Sequence, residues 1–234
     1  MRVIPRSLRR QLNQTADRGR ALTKIIDFPA AAHYNEYILN IWSNKHMLQS
    51  HLIATVKQKV LSLLAKFSDQ EFYERELARK LGISYGSANR ALNELYSTGA
   101  IMRRREGKMY FYSIDSSTAA LTEFKKMVNL MLVEPLVEEL KKMSSRIILY
   151  GSCALGTDNS ESDLDLFIVS NGKADVANVI STFNFPRGFE NIHIQPVIRT
   201  PVELLEGGES ERTFLEEVER GIVLWEKVDS ESRV

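Results

Sequence analysis

With 234 residues and 44% hydrophobic content, the chain can bury one large core or two small ones. Its net charge of +1 conceals a split: residues 1–115 hold 19 Lys and Arg against 10 Asp and Glu, a balance of +9, and residues 116–234 hold 12 against 20, a balance of −8. The single Cys153 excludes an internal disulfide and suits a reducing cytoplasm, the four histidines lack zinc-ligand spacing, and no apolar run approaches the roughly 18 residues of a membrane helix.

Residues 1–50 are Arg-rich at the start and acid-poor, which fits a basic arm on a polyanion better than a transit peptide; a helix is expected around 34–42. From His51 the periodicity sharpens. Val56, Val60, Leu63, Leu64 and Phe67 predict a first helix, and "EFYERELARKLG" predicts a second that stops at Gly82. Ser84 caps a third, with Ala88, Ala91, Leu92 and Leu95 as its buried stripe. "AIMRRREGKMYFYSID" then gives two strands around Glu106-Gly107.

Three short helices and a basic hairpin resemble the winged helix-turn-helix family over 53–115. The resemblance implies that the third helix lies in the major groove of double-stranded DNA, with Ser87, Asn89, Arg90 and Asn93 facing base edges. It places Arg103, Arg104, Arg105 and Lys108 on the wing, near phosphates. A module used only for packing or protein contacts is the alternative.

Residues 116–143 read as one long helical stretch broken at Pro135, joining two modules. Leu121, Phe124, Val128 and Met131 form a stripe that either pairs two chains into a homodimer or packs on the chain's own domains.

The acidic part alternates strand and helix. "RIILY" is a strand, Gly151-Ser152 opens a short helix, and "DLDLFIV" is a second strand. Val176, Val179, Ile180 and Phe183 mark a helix, and "NIHIQPVI" is a third strand. Thr200-Pro201-Val202-Glu203 is a capping box, and a last helix over 210–220 stops at Gly221 before "IVLWE". The expected fold class is α+β: an arm (1–50), a winged helix-turn-helix (51–115), a helical linker (116–143) and an α/β unit with a small mixed sheet (144–228).

Between Gly151-Ser152 and Asp163-Leu164-Asp165 lie ten residues. A strand that ends in Gly-Ser offers backbone N–H groups and a hydroxyl to an anion. Strand alternation puts Asp163 and Asp165 on one face, where two carboxylates need a cation between them; hard oxygens beside phosphate select Mg²⁺.

This spacing resembles the minimal nucleotidyltransferases of the polymerase-β superfamily over 146–228, supported by Gly156, Ser162 and the closing "ERGIVLWEK". The resemblance implies NTP, in particular ATP, held at Gly151 and Ser152, and Mg²⁺ held at Asp163 and Asp165. Catalytic members carry a third carboxylate on the following strand, and here Gln195 takes that place with His193 beside it. Basic residues usual near Cys153 and Leu155 are missing too, and Cys153 suits a small buried residue better than a nucleophile.

Three functions follow. The first is a DNA-binding, transcription-regulatory protein that binds Mg-nucleotide in a catalytically weakened domain. The second is an active transferase moving a nucleoside monophosphate onto a protein or small molecule, as antitoxins of the family do to a partner toxin. The third acts on nucleic acid itself.

Overall fold

The computed structural model describes residues 52–206 and 209–227. The expected arm at 1–50 lies outside them. α1 (Val56–Lys66) begins at a capping box, in which the Thr55 hydroxyl accepts from the Gln58 N–H and the Gln58 side chain accepts from the Thr55 N–H. α2 (Glu74–Leu81) and α3 (Tyr85–Ser97) follow. Ser84 caps α3 as expected, its hydroxyl accepting from the Ser87 N–H at 3.1 Å.

β2 (Met102–Glu106) and β3 (Met109–Ser113) form the hairpin. One expectation shifts: residues 72 and 73 do not start α2 but form β1 (Phe72–Tyr73), antiparallel to β3 with Phe72 opposite Tyr112. Phe72 and Tyr112 are each 1% exposed, so burial of this aromatic pair outweighs the helical pattern at 71–73. The result is a winged helix-turn-helix arrangement: three helices and a small sheet of order β1-β3-β2.

α4 (Ala119–Leu140) corrects a second expectation. It runs through Pro135 without a break. Leu132, Val133, Leu136, Val137 and Leu140 flank the proline and are buried, and their burial at roughly 1.5–3 kcal/mol per side chain exceeds the roughly 3 kcal/mol proline penalty. Val128 and Met131 of the stripe lie in the chain's own core, Phe124 packs against it and Leu121 is buried as well, so this face covers the molecule's interior.

The second half is a mixed four-stranded sheet of order β6-β5-β4-β7, built from β4 (Arg146–Tyr150), β5 (Leu164–Val169), β6 (Ile194–Arg199) and β7 (Ile222–Glu226). β5 and β6 are parallel; β4 is antiparallel to β5 and β7. The helices are α5 (Gly151–Leu155), α6 (Lys173–Thr182), α7 (Pro201–Glu206) and α8 (Glu209–Glu219). One face of the sheet meets α8 through Ile148, Tyr150, Phe167 and Val218. The other joins a continuous core with α4 and the three-helix unit. Phe67 stacks on Phe189 at 6.1 Å between ring centroids, so helical unit and sheet share one interior.

Candidate functional site

β4 ends at Tyr150, and the chain turns at Gly151 with φ of 69°, in the left-handed region. A Cβ at Gly151 would overlap the Asp165 Oδ2 and lie 3.3 Å from its Cγ. The Asp165 carboxylate therefore rests on the bare backbone of the Gly-Ser turn. Register explains the approach: Asp165 on β5 sits opposite Tyr150 on β4 and opposite Gln195 on β6. Parallel partners in register share a face, so Gln195 is the next-strand neighbour of Asp165. Two positions earlier, Asp163 precedes β5, and its carbonyl accepts from the Cys153 thiol at 3.3 Å.

Burial raises the Asp165 pKa above the ordinary carboxylate range, with the charges of Asp163 and then Glu217 adding to the rise. Burial raises the Tyr150 phenol as well, with Asp165 and Glu217 contributing. The charges of Asp163 and Glu217 are thus felt at Asp165. Among the described residues, no three His, Cys, Asp or Glu side chains converge into a metal cage. Removing one charge should relax the repulsion: Asp165→Asn is expected to raise the melting temperature of the protein in chelator. An unchanged or lowered melting temperature would show that no repulsion is stored there.

Cys153, fully buried in α5, has its thiol pushed up to about 11, mainly by burial against the opposing effect of Lys66. It stays protonated at neutral pH, as expected for a packing residue.

Beside the turn lies a groove of about 470 Å³ between α5 and α8, lined by Gly151, Ala154, Leu155 and, from α8, Thr213, Glu216 and Glu217. Arg220 and Gly221 close it. Glu217 escaped the sequence reading. Its signal was the polar face Thr213, Glu216, Glu217, Arg220 at helical spacing, beside the inward Phe214 and Val218.

On the helical unit, Ser87, Asn89, Arg90 and Asn93 all lie on α3. The Asn93 amide donates to Asn89 Oδ1 at 3.1 Å, and Ser87 Oγ accepts from Ser84 Oγ at 2.9 Å. The three wing arginines divide. Arg103 lies over the rings of Tyr96 (4.0 Å) and Tyr110 (4.5 Å) and donates to Asn93 Oδ1 at 3.4 Å, so it joins the α3 group. Arg105 lies on the same strand face and bonds the Gly107 carbonyl. Arg104 points to the opposite face and is engaged by Glu71 and Glu106, each at 2.7 Å. Lys108 is exposed at the turn. Glu94, the acidic residue of α3, is paired with Lys57 at 2.8 Å.

Residues 131–226 match the family model of the nucleotidyltransferase domain. Solved structures that resemble the chain include a candidate nucleotidyltransferase from Sulfolobus solfataricus, at 17% identity over 48% of this chain and 94% of that one, with a TM-score of 0.32. The transcriptional regulator BldR from the same organism is 19% identical over 50% of this chain and 96% of its own, with a TM-score of 0.31. Reduced HlyU from Vibrio cholerae N16961 is 25% identical over 43% and 95%, with a TM-score of 0.27. No curated protein matches the chain. No helix among the described residues is long and apolar enough to cross a membrane.

Proposed function

We propose that the chain is a DNA-binding, transcription-regulatory protein that also binds a Mg-nucleotide at its nucleotidyltransferase domain. The contact of the Asp165 carboxylate with the Gly151 backbone carries the nucleotide half of this reading. It sets one carboxylate of the acidic pair against a turn stripped of side chain, which suits phosphates neutralised by a divalent ion. Asp163 and Asp165 would hold Mg²⁺, with the Gln195 carbonyl as a neutral neighbour; bound there, the ion would offset phosphate charge. Gly151 and Ser152 would take the phosphates, and ATP is the nucleotide proposed.

DNA binding rests on α3 and on the wing face shared by Arg103 and Arg105. The sandwich of Tyr96, Arg103 and Tyr110 fixes the guanidinium beside Asn93, so less side-chain freedom is lost on binding. Arg103→Ala and Arg105→Ala should each weaken duplex binding and lower the salt slope by about one unit, as expected for one phosphate contact. Arg104→Ala should change it little, because that charge is already engaged. Equal losses from all three would remove the distinction between the two wing faces.

The second reading, an active transferase moving a nucleoside monophosphate onto a protein or small-molecule acceptor, is favoured by the groove beside Gly151. Against it stands Gln195, which occupies the register position next to Asp165 but can neither add charge nor accept a proton. Incubation with Mg²⁺ and ATP labelled on the α-phosphate decides between them. Little transfer by the natural chain and a gain in Gln195→Asp would support the regulator; robust transfer abolished by Asp163→Ala would establish the enzyme.

A further inference from the structure

The ten residues that separate Gly151-Ser152 from Asp163 are gripped by the three-helix unit. Lys66, the last residue of α1, is 1% exposed and spends all three ammonium protons inside the protein. It donates to Asp158 Oδ2 at 2.8 Å, to Asn129 Oδ1 at 2.9 Å and to Cys153 Sγ at 3.4 Å. Asn129, on α4, donates in turn to Asp158 Oδ1 at 3.1 Å and to the Cys153 carbonyl at 3.0 Å. Lys125 ties the Asp158 carbonyl to the Ser68 hydroxyl. Just past α1, Asp69 accepts from the Ser160 N–H at 3.0 Å and from its hydroxyl at 2.5 Å. Cys153 closes the chain of contacts by donating to the Asp163 carbonyl.

A path of direct bonds thus runs from α1, through Lys66 and Cys153, to the residue that opens the acidic pair. α1 itself packs on α3, where Lys57 pairs with Glu94. The buried atoms on this path have their partners, so a shift at one end must be shared or break bonds.

We propose that residues 153–162 are a relay between the nucleotide site and the three-helix unit, with Lys66 and Asp69 as positioning residues on the helical side. Ordering of Gly151 and Asp163 by nucleotide stabilises the connection, the connection stabilises the C-terminal end of α1, and by linkage whatever binds the helical unit alters nucleotide affinity. The proposal rests on the nucleotide reading above.

Amide hydrogen exchange on the full chain, with and without Mg²⁺ and a non-hydrolysable ATP analogue, separates the two. With the analogue well above its Kd, exchange in the natural chain should slow by about tenfold or more at both 151–155 and 64–70. In Lys66→Met/Asp158→Asn, which removes the Lys66–Asp158 pair and leaves the buried Lys125 ammonium on the Asp158 carbonyl and the Ser68 hydroxyl, slowing should persist at 151–155 and vanish at 64–70. Asp69→Ala, a change at an exposed residue that leaves the buried cluster intact, should halve the response at 64–70 or better. No slowing at 151–155 in the natural chain would overturn the nucleotide reading and the relay with it. Slowing at 151–155 without any at 64–70, or a response at 64–70 unchanged in both variants, would overturn the relay alone.

Discussion

Asp158→Ala is expected to lower the stability of the protein by about 3–5 kcal/mol, read as a shift of the urea midpoint at constant m-value. The carboxylate is fully buried, and its removal strands the Lys66 ammonium, itself 1% exposed, with only Asn129 Oδ1 and the Cys153 sulfur as partners, and takes from the buried Lys125 a carboxylate 3.9 Å away. Against a total of roughly 5–15 kcal/mol, such a loss removes from about a fifth of the stability to all of it. The pair is not thereby a large net stabiliser. Lys66→Met/Asp158→Asn removes both charges of this pair and should recover part of the deficit, because desolvation of an ion pair consumes much of its attraction, while the Lys125 ammonium keeps the Asp158 carbonyl and the Ser68 hydroxyl. A double variant as unstable as Asp158→Ala would mean that packing, rather than the stranded charge, set the loss.

Gly151→Ala is expected to weaken Mg-nucleotide binding by about 100-fold or more, equivalent to about 2.7 kcal/mol. Two effects add. A left-handed backbone costs a residue with a Cβ roughly 1–2 kcal/mol, and here the new methyl would occupy space held by the Asp165 carboxylate. That carboxylate must rotate away, taking a proposed metal ligand out of place. Gly86→Ala, in α3, is the control: nothing lies within 4 Å of its added Cβ, and alanine favours the helix by about 0.5–1 kcal/mol. It should leave nucleotide affinity unchanged. Equal nucleotide binding by Gly151→Ala and the natural chain would move the site away from the turn.

What could be read from the sequence was whatever local chemistry specifies. The Ser84 cap, the stripe Ala88, Ala91, Leu92, Leu95 and the apolar strand from Leu164 each declare themselves within one element, whereas Asp163 falls just outside the strand it was expected to open. Gln195 fell opposite Asp165 because a parallel strand with the same alternation leaves little freedom of register. Long-range chemistry was hidden. Lys66 reads as an ordinary basic residue closing a helix, and nothing near it announces partners 63, 87 and 92 positions away. Pro135 signals a break that burial on both sides overrides. Arg104 is one residue from Arg103 and Arg105, and only the strand period turns it to the other face, where Glu71 waits 33 positions upstream. Glu217 reaches the site only because α8 folds back beside α5.

The proposed Mg-nucleotide site joins the acidic pair to the Gly-Ser turn. Calorimetric titration of ATP into the full chain tests it most directly, in Mg²⁺ and in chelator, for the natural sequence and for Asp165→Asn. Saturable binding is expected that disappears in chelator and weakens by about 100-fold or more in the variant. No binding to the natural chain, or binding of equal strength in chelator and in Asp165→Asn, would contradict it.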